Sequence, residues 1–395
     1  MTYQQDYARL KAAFRLEEGR MPIDGNMDLA VLPFRSELPD PFLCGSMGLS
    51  PSAEAAISPS LAVIDGDVRE NREFLYPVMM PAGKTRASSA ILLFHGLNEK
   101  SWEKYLPWAE RLCRMTGKAV VLFPTAFHMN RAPASWSNPK VMMPAVSERK
   151  RRFGPVESAS FANVAMSTRL QFHPERFILS GLETCNDVER LMADIRAGLN
   201  PCIEAGASID VFGYSIGAFL SEVIMLSDPA GHFRDSRAFL FCGGAILGSM
   251  DPVSKYIMDG KAGERLISYL KAPLEEELAR ESPLARLFER IASIGTIFRS
   301  LLEWDRMKAF RETQLAALGR RVGALALIKD QVIPGREVER TLAACAAGAE
   351  SALIRVRDFP FPYTHENPFP LVPEYSEDVA RCFEEVFEMA ADFIG

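Results

Sequence analysis

From about residue 70 onward the chain shows short unbroken apolar runs separated by stretches of helical periodicity. Ala90-Ile91-Leu92-Leu93-Phe94 and Ala119-Val120-Val121-Leu122-Phe123 contain no polar position. A strand with one wet face alternates; an unbroken run of this length is expected of a strand buried on both faces. Similar runs at 209–212, 238–241, 324–328 and 352–356 predict further strands. Residues 73–80 predict an outer strand, with Pro77 arguing for an edge because proline cannot donate to a ladder. Helical periodicity covers 102–115, part of 188–203, and 219–226. A last helix aligns Val379, Phe383, Val386, Phe387, Ala390 and Ile394 on one face. Strands alternating with helices predict an α/β protein whose mostly parallel sheet is covered on both sides.

Two segments interrupt this rhythm. Residues 126–180 are proline-rich and hold Arg149-Lys150-Arg151-Arg152, which reads as a solvated loop; nearby Trp136 and Phe153 are candidates for the mouth of a substrate site. Residues 248–318 are almost wholly helical, with Leu284, Leu287, Phe288, Ile291, Ile294, Phe298, Leu301 and Leu302 at helical spacing. Both insertions leave the C-terminal ends of strands, the edge where open α/β sheets bind ligands. Ahead of the core, Tyr7, Leu10, Ala13 and Phe14 have helical spacing, and a Pro- and Ser-rich stretch runs from 33 to 60. The expected organisation is an N-terminal arm (1–65), an α/β core (66–247 and 319–395) and a helical cap or lid (248–318).

Composition narrows the function classes. Apolar residues are 48% and charged residues 24%, ordinary globular usage, so disorder, collagen and coiled coil fail as whole-chain descriptions. The formal net charge of −6 lacks the broad positive field that neutralises phosphates, so nucleic acid is not an expected partner. Seven cysteines (Cys44, Cys113, Cys185, Cys202, Cys242, Cys345, Cys382) are scattered and never spaced C-x-x-C, which reads as buried thiols rather than disulfides or a zinc knuckle. No apolar run follows a positive start, so no secretory leader is expected. The longest low-charge apolar stretch, 238–250, is too short to cross a bilayer. A cytoplasmic protein without an integral membrane segment is expected. There is no H-E-x-x-H, Walker loop or G-x-G-x-x-G, so neither a metal nor a nucleotide cofactor is implied.

The informative motif is Gly213-Tyr214-Ser215-Ile216-Gly217, after one predicted strand and before a helix. A nucleophile on a sharp strand-to-helix turn needs small neighbours two residues away on either side, which Gly213 and Gly217 supply. The turn aims the helix N-terminus, with its free N–H groups, at the same point. A serine hydroxyl at neutral pH needs a base. Of the five histidines, His365 alone follows every predicted strand, so its loop can swing over the sheet edge toward Ser215; His232 is the alternative. The base needs an orienting carboxylate. Asp330 lies just past the strand at 324–328, with Asp251 as the alternative. An oxyanion needs donors, and the N–H groups of Ile216 and of Leu97 are the candidates. Gly96 permits a tight turn before Leu97, and His95 is expected to shape that loop without proton chemistry.

Taken together, His95-Gly96 after an early strand, the Gly213–Gly217 pentapeptide, Asp330-Gln331-Val332-Ile333-Pro334, and His365 ahead of a terminal helix resemble the α/β-hydrolase-fold serine hydrolases over roughly residues 70–395. The resemblance implies that Ser215 attacks, His365 serves as base then acid, and Asp330 holds the histidine. It also places a cap where 248–318 falls. Lys329 before the acid, Glu366-Asn367 after the histidine and the long first insertion depart from the usual pattern. The implied activity is ester hydrolysis on a small acyl substrate. An acyltransferase on the same triad and a non-catalytic scaffold of the same fold are the alternatives.

Overall fold

The structure, a computed structural model, describes residues 2–37, 49–346 and 352–395. Cys44 and part of the Pro- and Ser-rich stretch lie outside the described residues. Among the described residues nine strands form one sheet: β1 (Gly19–Asp24), β2 (Met27–Arg35), β3 (Glu73–Pro81), β4 (Ala87–Phe94), β5 (Ala119–Leu122), β6 (Ile203–Tyr214), β7 (Ala238–Phe241), β8 (Val322–Leu327) and β9 (Leu353–Arg357). Their order is β1-β2-β3-β5-β4-β6-β7-β8-β9. β1, β2 and β3 run antiparallel to their neighbours; β5-β4-β6-β7-β8-β9 are parallel. The chain passes from β4 to β5 on one side, then returns past β4 to β6 on the other. The crevice beyond β4 and β6, where Phe94 pairs with Gly213, is thus the switch point of the sheet.

The unbroken apolar runs have the expected cause. Within β4, Ala90, Leu92 and Phe94 join the core on one face, and Ile91 and Leu93 join the core on the other. β7 divides in the same way, Ala238 and Leu240 against Phe239 and Phe241. Side chains alternate across a strand, so burial on both faces demands apolar residues at every position. One face is covered by the helices Glu175–Arg196 and Ile216–Ser227, the other by Tyr105–Thr116 and Ser376–Ile394. On that second face Trp108, Phe212, Phe369, Phe383 and Phe387 form one aromatic cluster.

Three regions differ from the pattern-based expectation. Within residues 1–65 the described chain runs into the core: β1 and β2 extend the sheet, and the helix Tyr3–Ala13 sets Tyr3 against Phe383, ring centroids 4.7 Å apart. β2 pairs with β3 along its whole length and is buried at Leu29, Ala30 and Val31. For the same reason β3 is interior, not an edge. Pro77 is tolerated there because the ladder with β5 covers only Val78 and Met79. The basic run 149–152 ends a helix (Pro139–Phe153) instead of lying in a loop, and Arg149 is fully buried. Its guanidinium forms a bidentate pair with Asp259, which also caps the helix Gly260–Lys271.

That pair ties the two insertions together. Residues 248–318 carry five helices, Gly260–Lys271, Pro273–Leu278, Pro283–Arg290, Ala292–Ser300 and Lys308–Leu318, much as the periodicity predicts. Phe298 packs edge-on against Phe219 of the helix after the serine, and a Cβ on Gly181 would sit 2.8 Å from the Phe298 ring. Both insertions therefore roof the C-terminal edge of the sheet. The six described cysteines are free and buried. No helix among the described residues is long and apolar enough to cross a membrane.

Candidate active site

Ser215 sits between β6 and the helix Ile216–Ser227 at φ 59°, ψ −123°, a backbone region that a non-glycine residue occupies only when its surroundings force it there. The flanking glycines show what forces it. A Cβ on Gly217 would lie 2.4 Å from the Phe94 carbonyl oxygen and 2.7 Å from that of His95. A Cβ on Gly213 would lie 2.4 Å from Ser221 Oγ and 2.6 Å from Ala218 Cα. Gly243, after β7, closes the same point: its Cβ would meet Ala218 Cβ at 2.2 Å. The turn is pressed against backbone on three sides, and the Ser215 N–H donates to the Phe241 carbonyl at 3.1 Å.

The structure brings Ser215, His365 and Asp330 together. Ser215 Oγ lies 2.6 Å from His365 Nε2, and His365 Nδ1 lies 2.7 Å from Asp330 Oδ2. Asp330 Oδ1 accepts the N–H groups of Val332 and Ile333, both at 2.9 Å. With Asp330 an acceptor, Nδ1 carries the imidazole proton and donates it, which leaves Nε2 to accept from the serine hydroxyl. Each of the three residues is 4% exposed. The rivals are elsewhere: His232 lies by Glu189, and Asp251 spends its carboxylate on the Val253 N–H. Lys329 turns outward to pair with Asp358.

A polar network that the sequence pattern does not announce supports the imidazole. The Tyr214 ring stacks on His365 at 14° and its hydroxyl donates to the His365 carbonyl. Lys104 lies over the Tyr214 ring, donates to the Glu366 carbonyl, and pairs with Glu99. Tyr105 donates to Glu99 at 2.8 Å and accepts the Gly96 N–H at 3.0 Å. The loop after β4 and the loop carrying His365 are thereby joined. These residues are scattered over 96–105, 214 and 365–366, and no local spacing marks them.

His95 is fully buried. Its Nε2 accepts the Thr125 N–H at 3.0 Å, so Nδ1 is protonated and donates to the Gly96 carbonyl at 2.8 Å. Burial, with help from His128, holds its pKa well below the usual imidazole value. Gly96 approaches the Tyr214 ring, where a Cβ would meet Cε1 at 3.1 Å. Leu97 and Ile216 line one narrow chamber with Ser215, roofed by Leu247, Met250, Ile257 and Leu266. Ile216 opens its helix, so its N–H has no intrahelical acceptor. Among the described residues no cluster of three or more His, Cys, Asp or Glu side chains is placed to hold a metal ion.

The strand order, the strained serine turn after β6 and the insertions over the C-terminal edge define an α/β-hydrolase fold. The chain belongs to the Family of unknown function (DUF6051), whose model it matches over residues 1–395. No curated protein matches it. Among solved structures it is similar to a cold-adapted esterase from an Arctic intertidal metagenomic library, at 10% identity over 95% of this chain and 99% of that one, with a TM-score of 0.42. It is similar also to carboxyl esterase 2 from the mycorrhizal fungus Tuber melanosporum (14% identity, 82% of each chain, TM-score 0.43). A third is the peroxisomal alpha-beta-hydrolase Lpx1 from Saccharomyces cerevisiae (11% identity, 94% of this chain and 90% of that one, TM-score 0.42).

Proposed function

We propose that the protein is a serine hydrolase that cleaves a carboxylic ester through an acyl-enzyme. The observation that carries this is the unbroken, buried relay from Ser215 Oγ through His365 to Asp330, at 2.6 and 2.7 Å. As Ser215 Oγ bonds to the ester carbonyl carbon, its proton passes to His365 Nε2. The carbonyl oxygen becomes an oxyanion beside the N–H groups of Ile216 and Leu97. The intermediate collapses, the alkoxide leaves with the proton from His365, and the acyl group stays on Ser215. Water then enters, His365 takes its proton, and a second collapse releases the acid and returns that proton to Ser215. Asp330 holds the imidazole in its Nδ1–H tautomer and balances the imidazolium.

Segment 248–318 acts as the cap: its apolar side chains roof the chamber above Ser215. With the first insertion it keeps bulk water off the oxyanion, where hydrogen bonds gain strength in a low dielectric. The test is labelling with a fluorophosphonate and turnover of a chain-length series of p-nitrophenyl esters. Labelling at Ser215 and turnover that Ser215→Ala removes are expected. Ester turnover unchanged in Ser215→Ala rejects Ser215 as nucleophile.

A further inference from the structure

Two further cavities adjoin the chamber above Ser215. A second cavity shares Leu97, Ile216 and Phe177 with it and is walled by Phe219, Leu220 and Phe298. A third shares Leu97, His128 and Phe177 with the second, and its lining includes Lys100, Arg169 and Arg176. The lining thus runs from the serine through an apolar middle to a cationic end.

Three cations, Lys100, Arg169 and Arg176, stand at that end. Arg169 donates from Nη2 to Asp65 at 2.8 Å and is stacked between Trp136 and Phe127, at 4.5 and 5.1 Å from the ring centroids. Its Nη1 is buried and has no hydrogen-bond partner among the described residues. Arg176 uses Nε on Asp65 at 3.0 Å and Nη1 on Glu54 at 2.5 Å. Among the described residues Lys100 makes no ion pair; the carboxyl that acts on it electrostatically is Glu99, which Lys104 and Tyr105 already engage. His128 is buried with Nδ1 on the Ala126 carbonyl and Nε2 unpartnered, and burial lowers its pKa to about 4, so it adds no charge at neutral pH. Desolvation lowers the Lys100 pKa to about 8, yet the side chain is only half-buried, so the ammonium stays charged at pH 7. Around Lys100, Arg169 and Arg176 stand three carboxyls: Asp65 and Glu54, which pair with the arginines, and Glu99, which Lys104 shares; among the described residues Glu54 Oε2 has no hydrogen-bond partner of its own. An unpaired charge in such a site is costly until a counter-charge arrives.

We infer that Lys100, Arg169 and Arg176 bind a carboxylate at the far end of the substrate's acyl chain, so that the acid half of the ester is a dicarboxylic acid with an apolar spacer. This rests on Ser215 being the nucleophile. A neutral chain would press its terminal methyl against Lys100 and leave the ammonium unpaired. A carboxylate pairs with it, and a site built to pair a polar group rejects the analogue that lacks it.

The test compares p-nitrophenyl half-esters of straight-chain dicarboxylic acids, in graded lengths, with neutral esters of matched length. The ratio of kcat/KM should favour the acidic series by about tenfold or more at the length that spans the cavities, as expected for a charge-assisted pair. Lys100→Met should lower kcat/KM of the acidic series at least tenfold more than that of the neutral series, and Lys100→Arg should keep the preference. Neutral esters preferred at every length, a preference untouched by Lys100→Met, or equal loss in both series would overturn the inference. If neither series turns over while fluorophosphonate labels Ser215, the inference falls alone. If neither turns over and Ser215 is not labelled, the hydrolase assignment falls with it.

Discussion

Glu222 gives a quantitative prediction that is independent of substrate. It lies about two turns beyond Ser215 on the helix Ile216–Ser227, is 2% exposed, and neither carboxyl oxygen has a hydrogen-bond partner among the described residues. Burial alone raises its pKa from 4.5 to about 8. The folded state therefore keeps a proton that the unfolded chain releases above pH 4.5. The stability this group contributes is full below 4.5, falls as pH rises, and is lost by about pH 8. The slope is ~1.4 kcal/mol per pH unit, and the whole window amounts to ~5 kcal/mol. This is an upper figure, because local opening relieves a buried charge before the whole fold yields. Glu222→Gln keeps the shape and removes the titration. Urea unfolding of both proteins from pH 5 to 9 is the assay. The wild type should lose stability relative to the variant by ~1 kcal/mol or more per pH unit in this range, and the difference should level off above pH 8. The slope is the readout, since a buried Gln amide is also unpartnered and shifts the absolute level. Parallel curves for the two proteins would refute the protonated, buried carboxyl.

Three further predictions concern the site and its roof. Tyr214→Phe removes the hydroxyl that fixes the His365 carbonyl but keeps the stacked ring; kcat on p-nitrophenyl esters should fall by about tenfold with KM unchanged, and an unchanged kcat would dismiss the tether. Gly217→Ala drives a Cβ into the Phe94 and His95 carbonyls, which are backbone and cannot step aside; thermal melts should show a loss of ~3 kcal/mol together with loss of fluorophosphonate labelling, and a wild-type Tm would contradict the close approach. Arg149→Met strands Asp259 without its partner and should cost ~3–5 kcal/mol in denaturant unfolding, much of it recovered in Arg149→Met/Asp259→Leu. No recovery in the double variant would mean that the pair is not what holds the two insertions.

The sequence by itself determined the layered α/β class, because residues buried on both faces of a sheet must be apolar at every position, as in β4, β5 and β7. It also marked Ser215, because a strained turn needs glycine two places to either side and such a pattern is local. The order of Ser215, Asp330 and His365 along the chain followed from counting strand ends, and the structure brings those three side chains together. Tertiary structure decided what local pattern cannot carry. β2 belongs to the sheet because β3 offers it a ladder, β1 because β2 does, and Pro77 is harmless only because the ladder with β5 stops at Val78. Arg149 looked like part of a solvated charge run; Asp259, 110 residues away, makes its burial affordable. Lys100, Arg169 and Arg176 became one cationic end, and Glu99, Lys104, Tyr105 and Tyr214 one tether, only when the fold closed over them. Side-chain pairings between distant segments leave no periodicity to read, because their energy depends on distance in space and not on spacing along the chain.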